Sequence, residues 1–276
     1  MGPSVLSSPL GHKTDYVSSY DPGLLFPILR QTSREILGIT SALPFFGCDI
    51  WTGYELSWLN PSGMPQVAAA EFIFPCDSHF IIESKSFKLY LNSFNQTVFN
   101  SYADVTECLK RDLSLVAGAA VNVNLQQLHE SLLLINQVVM GVCLDGLDIT
   151  VNNYHPDPTL LTNDVNEVEL EEELYSHLLK TNCPVTGQPD WASLFISYSG
   201  KKINHENLLR YIISFREHQD FHEHCVERVF VDILNRCKPE SLSVYARYTR
   251  RGGLDINPFR STREGERPSV GRLLRQ

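Results

Sequence analysis

The hydrophobic residues of this chain change period in the same order twice, and that order constrains the fold more than any single residue does. Extended stretches at Tyr54 to Leu59 and Val67 to Phe74 flank the turn NPSGMP and predict a hairpin. Helical spacing follows, with Phe87, Leu91 and Phe94 on one face and Val105, Cys108, Leu109, Leu113 and Val116 on another segment. Strands return where Val121, Val123 and Leu125 alternate with asparagines, and where Leu147, Ile149 and Val151 alternate with Asp148 and Thr150. Further on, Leu194, Ile196 and Tyr198 alternate toward the turn SGKK, and Leu208, Ile212 and Phe215 resume helical spacing. Val226, Val229, Phe230, Ile233, Leu234 and Cys237 repeat at i, i+3, i+4 and i+7, and Leu242, Val244, Ala246 and Tyr248 alternate as a strand. Strands grouped in pairs around paired helices imply antiparallel sheets with helices packed on one face. The expected class is α+β, in two similar modules spanning residues 1–165 and 166–276.

Composition narrows the function. A chain of 276 residues can bury a full core, and its net charge of -9 argues against a general nucleic-acid binder. The sign is uneven: Asn163 to Leu174 is acidic and Tyr245 to Gln276 is arginine-rich, which suits a small anionic ligand better than a polynucleotide. Seven cysteines (48, 76, 108, 143, 183, 225 and 237), with no CxxC pair and no signal-peptide pattern, predict reduced thiols in a cytoplasm. No apolar run approaches the roughly 18 residues of a membrane span.

Four stretches carry candidate chemistry. In TNCPVTGQPDW, Pro184, Gly187 and Pro189 make a turn-rich loop that keeps Cys183 out of a helix and lets Asp190 fold back toward the sulfur, a nucleophile with an acid. The plainer alternative is a small apolar residue in a loop and an aspartate capping a strand. In ESKSFKLYLNSFNQT, Glu83 suits a helix start, whereas Lys85 and Lys88, three apart, do not; a phosphate held by that pair and by open N–H groups would account for them, as would a solvated charged face. In EHQDFHEHCVE, His218 and His222 are four apart and can share a helix face, while His224 points elsewhere and the CxxC partners of a structural zinc site are missing. His222 then reads as a semi-buried residue on the apolar face, and Glu223 as a carboxylate able to meet the donor edge of a base. In YTRRGGLDINPF, Arg250, Arg251, Gly252 and Gly253 suit a phosphate, or else end a strand in a turn. There is no GxGxxG after a strand and no GxxxxGK[ST].

In combination these stretches resemble the NADPH-dependent 7-cyano-7-deazaguanine reductases of queuosine biosynthesis, in their long two-module form. The likeness runs from GHKTDY and DIWTGYELSWLNPSGMPQVA to RLLRQ. The resemblance implies two tandem tunnelling-fold modules and descent shared with GTP cyclohydrolase type I. It implies that Cys183 is the nucleophile forming a covalent thioimide with the nitrile and that Asp190 is the proton donor. It further implies that Glu83, Ser84, Lys85, His222 and Glu223 bind the 7-deazapurine, that Lys85, Ser86, Arg251 and Gly252 contact NADPH, and that no metal takes part. A cytoplasmic homodimer acting on a small molecule, without direct contact to nucleic acid or membrane, is the matching expectation. Two rivals remain at this point: a zinc-dependent cyclohydrolase-like enzyme using Cys183 with His222 or His224, and a non-catalytic purine-binding module.

Overall fold

The computed structural model describes residues 16–127, 140–165 and 168–276. Most of the GHKTDY stretch therefore lies outside the described residues, as does the residue that follows the expected boundary at 165. The elements are β1 (Pro27–Leu29), α1 (Gln31–Ile36), β2 (Phe46–Leu59), β3 (Pro65–Pro75), β4 (Phe80–Ile82), α2 (Ser84–Asn92), α3 (Tyr102–Ala117), β5 (Asn122–Gln126), β6 (Val142–Cys143), β7 (Glu169–Asn182), β8 (Pro189–Lys201), α4 (His205–Ser214), α5 (His222–Cys237), β9 (Ser241–Tyr248) and β10 (Leu254–Ser261). The class is α+β, with antiparallel sheets and packed helices.

The described residues form two compact units that are discontinuous in sequence: 16–33, 49–127 and 250–256 belong to unit 1, and 34–48, 140–165, 168–249 and 257–276 to unit 2. In unit 1 the strand order β5–β3–β2 and the antiparallel pair β1–β4 accompany α2 and α3. Trp51, Trp58, Phe72, Phe74, Phe87, Phe94, Leu109 and Leu113 build its core, which Leu254 and Ile256 complete. Ser101 caps α3 by accepting from Asp104 N–H, and Gly118 at φ 68° ends it in the left-handed conformation that costs glycine little.

Unit 2, with residues 257–261 of β10, has the order β10–β9–β8–β7–β6, antiparallel except for the parallel β6–β7 pair. Strand alternation sends Val244, Ala246 and Tyr248 of β9 to the face covered by α5, and Phe195, Tyr245 and Phe259 to the opposite face, where they cluster with Tyr175, Val270 and Leu273. Along α5 the predicted apolar residues Val226, Val229, Phe230, Ile233 and Cys237 are buried.

One expectation changes. The alternation at Leu147, Ile149 and Val151 does not produce a strand: among the described residues the segment pairs with no ladder, and exposure alone alternates along it. Within the acidic stretch, Glu169 to Glu173 begin β7 and pair with Lys201 to Ser197 of β8. Among the described residues no helix is long and apolar enough to cross a membrane.

Candidate active site

The β7–β8 hairpin sets the position of the thiol. Thr181 faces Asp190 and Asn182 faces Pro189, so the loop between the strands is Cys183 to Gln188. It closes on itself: Cys183 N–H donates to Gln188 O at 2.9 Å and Gly187 N–H donates to Cys183 O at 3.0 Å. Gly187 supplies the positive φ of 68° that this reversal needs. Cys183 is buried at 5% exposure and Asp190 at 4%. Pro184 and Pro189 bracket the turn as their fixed φ requires, and Asp190 is the second residue of β8 rather than a cap before it.

Asp190 has a partner from α5. His222, the first residue of that helix, places Nε2 3.3 Å from Asp190 Oδ2, and its ring lies flat on Tyr248, with centroids 3.7 Å apart and an angle of 4° between the planes. The Tyr248 hydroxyl lies beside the Thr181 hydroxyl and the Cys225 thiol, yet among the described residues neither hydroxyl makes a hydrogen bond of good geometry, and His222 Nδ1 also lacks a partner. Buried polar atoms without partners are rare and costly, so their concentration around Asp190 marks a site rather than ordinary core. Burial pushes the Cys225 thiol well above its usual range, with the Asp220 charge adding to the effect, which keeps this second sulfur protonated and inert.

A second carboxylate–imidazole pair stands at the same helix end. Asp220 N–H donates to Asn182 O at 3.2 Å and Asn182 N–H to His218 O at 2.8 Å, tying this segment to the end of β7. The Asp220 carboxylate accepts from Phe221 N–H at 2.8 Å and from His224 Nδ1 at 3.1 Å. Burial raises the Asp220 carboxyl, but hydrogen bonds from His224 and Phe221 and the charge of His224 outweigh it and hold the group below the ordinary carboxylate range. Burial lowers the His218 imidazole. His218 and His222 do not share a helix face, since α5 begins only at His222 and His218 belongs to the turn before it. Glu223 is buried in the first turn of α5, where the helix dipole favours a carboxylate. The Asp220–His224 pair has the i, i+4 spacing of a helical contact, a signal present in DFHEH.

Unit 1 carries the other candidate residues. Glu83 is the N-cap of α2: one carboxylate oxygen accepts from Lys85 N–H at 2.6 Å and the other from Ser86 N–H at 2.8 Å. This corrects the expectation of open N–H groups for a phosphate at that helix start. Burial raises the Glu83 carboxyl, while those two N–H groups and the Lys88 and Lys85 charges pull the other way. Ser84 is the first residue of α2; the Ser86 hydroxyl donates to Glu83 O at 2.7 Å and accepts Phe26 N–H at 3.0 Å. Arg251 and Leu254 close a tight turn with mutual backbone bonds, and Gly252 and Gly253 occupy it at φ 54° and 75°. A Cβ on Gly252 would lie 3.2 Å from Lys88 Cδ, so the absence of a side chain lets the turn rest against the cationic face of α2. Arg250 lies 4.8 Å over the Tyr54 ring. Lys85, Lys88 and Arg251 are a donor set that fits a phosphate-bearing cofactor, although Glu83 has taken the helix N–H groups. Among the described residues no group of three or more His, Cys, Asp or Glu side chains is arranged to hold a metal ion.

Residues 16–125 match the family model described as nitrile reductase, 7-cyano-7-deazaguanine-reductase N-term, and residues 189–267 match that of QueF-like protein, together more than half of the chain. These two models define the class, an oxidoreductase of the nitrile reductase type with two modules. An NADPH-dependent 7-cyano-7-deazaguanine reductase of Burkholderia multivorans is 58% identical over 269 residues, covering 98% of both chains, and one of Paraburkholderia phytofirmans is 55% identical over 269 residues with the same coverage. The chain belongs to the family of NADPH-dependent 7-cyano-7-deazaguanine reductases. A solved structure of the archaeosine synthase QueF-Like in the apo form matches 37% of this chain at 16% identity and a TM-score of 0.29, too slight to bear on the fold.

Proposed function

We propose that this protein reduces the nitrile of 7-cyano-7-deazaguanine to the aminomethyl group by way of a thioimide on Cys183. The observation that carries the reading is the hairpin loop presenting Cys183 beside the strand that holds Asp190, with His222 3.3 Å from that carboxylate. A nitrile carbon is a weak electrophile until sulfur adds and nitrogen takes a proton. The sulfur–carbon bond forms as one carbon–nitrogen π bond opens, and the thiol proton is carried by Asp190 to the nitrogen, base first and acid second. His222 orients the carboxylate for both transfers, and Tyr248 holds the imidazole flat. NADPH, when bound, supplies hydride, and two molecules account for the four electrons between nitrile and amine.

The remaining roles follow the chemistry of each group. Glu83, Ser84, Lys85, His222 and Glu223 bind the 7-deazapurine, the two buried glutamates accepting from its N–H donors. Lys85, Ser86, Arg251 and Gly252 contact NADPH. The product enters tRNA queuosine biosynthesis, and the enzyme works as a cytoplasmic homodimer of two tunnelling-fold modules per chain; sedimentation at an enzyme-like concentration that returned monomer mass would overturn the dimer.

Intact-mass measurement tests the central step. Mixed with 7-cyano-7-deazaguanine and no NADPH, the protein gains the whole mass of the nitrile, because addition expels no leaving group. Cys183→Ala abolishes the gain. An adduct that survives in that variant, or that maps to Cys225 or Cys237, overturns the assignment.

A further inference from the structure

The segment after β10 takes no part in the chemistry above, yet two of its residues reach β8, which carries Asp190, and β9, which carries Tyr248. Gln276 is only 6% exposed and its carboxamide meets four groups. Nε2 donates to Tyr248 O at 3.0 Å and to Asn257 Oδ1 at 2.8 Å, while Oε1 accepts from Leu273 N–H at 3.2 Å and from Arg247 Nε. Arg247 is held in turn by the Tyr245 hydroxyl and Val270 O, each at 3.1 Å. Arg275 Nη2 donates to Ala192 O at 3.1 Å and His177 O at 3.0 Å.

The two carbonyls these side chains hold belong to facing residues, since Ala192 of β8 pairs with Tyr248 of β9. Ala192 is two residues from Asp190, and Tyr248 carries the ring on which His222 lies. We propose that Gln276, assisted by Arg275, is a positioning residue for the Asp190–His222 pair, acting through the main chain of Tyr248 and Ala192. Only a carboxamide fits this place, with two N–H donors for Tyr248 and Asn257 and a carbonyl oxygen for Arg247 and Leu273. The pair itself needs such support. Among the described residues His222 Nδ1 has no partner, and the ring is oriented by the Tyr248 stack and by Asp190.

The inference rests on the proposed thioimide reaction, and single-turnover adduct formation without NADPH tests it on the full chain. A displacement of about 1 Å at reacting groups can cost about a hundredfold in rate, so Gln276→Ala should slow adduct formation about tenfold or more while leaving the dissociation constant for the nitrile within about twofold. Gln276→Glu, which cannot donate to Tyr248 O, should slow it likewise. In a His222→Ala background Gln276→Ala should add no further slowing, because the group it positions is gone. An unchanged rate overturns the assignment, as does a slowing that multiplies in full with His222→Ala, which is the mark of general damage. Should Gln276→Ala fail to fold, Arg275→Ala carries the same expectations and the same two contrary outcomes. Absence of an adduct in the unmodified protein overturns the functional reading, and this assignment with it; a normal adduct rate in both proteins overturns this assignment alone.

Discussion

At the residue scale, environment rather than identity separates the groups of this site. Cys183 and Cys225 are both buried thiols in unit 2, but Cys183 belongs to a reversing loop and Cys225 to the interior face of α5 beneath Tyr248, where burial keeps its proton in place. The aspartates divide similarly: Asp190 meets His222, while Asp220 meets His224 and the Phe221 N–H. Asp220 gives a pH prediction with a definite sign. Its folded-state carboxyl lies below its unfolded value of about 3.9, so the stability it contributes is complete above about pH 4 and is lost as pH falls through the folded value. Asp220→Asn should therefore flatten the acid limb of the stability curve, measured as the urea midpoint between about pH 5 and pH 2.5. An acid limb as steep as that of the unmodified protein would mean that other carboxylates carry it.

At the scale of elements, α2 shows a capping residue and a proposed ligand contact in one side chain. Glu83 closes two N–H groups at the helix start, and replacing it with alanine leaves the buried Ser86 N–H and the half-buried Lys85 N–H without their acceptor. Loss of a cap costs about 1 kcal/mol, and stranded buried donors about 1–3 kcal/mol each, so Glu83→Ala should destabilise the ligand-free protein by about 2 kcal/mol or more in urea unfolding. Glu83→Gln retains one acceptor oxygen and should cost less. Because burial raises this carboxyl, the stability linked to its protonated form is present at acid pH and declines as pH rises through the folded value; Glu83→Gln should remove that decline. If Glu83→Ala leaves ligand-free stability unchanged and weakens only substrate binding, the cap is energetically idle.

At the scale of the whole molecule, the units are woven from separated segments. Leu254 and Ile256 belong to the core of unit 1, although they follow most of unit 2 in the chain. In unit 2, Glu227 of α5 accepts from Arg34 Nη2 at 2.7 Å and from Arg260 Nη2 at 2.9 Å, joining three distant segments in a buried triad. Removing one member of such a group leaves charge buried without compensation, so Glu227→Ala should cost about 3–5 kcal/mol. A chain cut between residues 165 and 166 deprives unit 1 of Leu254 and Ile256 and unit 2 of Arg34, Ile39 and Phe45. Neither fragment expressed alone should unfold cooperatively, as circular dichroism during urea titration would show. Two sharp independent transitions would demonstrate that each half carries its own core.

The sequence by itself determined the elements whose side-chain period is a direct imprint of backbone geometry. The β2–β3 hairpin, α3, the apolar face of α5 and the alternation of β9 all stand where the spacing of their residues puts them. It also displayed Cys183 and Asp190 together, because a tight hairpin loop keeps them close in number as well as in space. Tertiary structure decided the rest. Strand β10 was hidden because all eight of its residues are buried, Asp255, Asn257 and Arg260 included, so no alternation marks it. The acidic start of β7 became a strand only through its pairing with β8, and among the described residues the alternation at Leu147 stayed unpaired. The contacts that organise the candidate site join Asp190 to His222, His222 to Tyr248 and Tyr248 to Gln276. A periodic pattern records which way a side chain faces, whereas such contacts depend on which distant segment comes to face it, and that is settled only when the cores close.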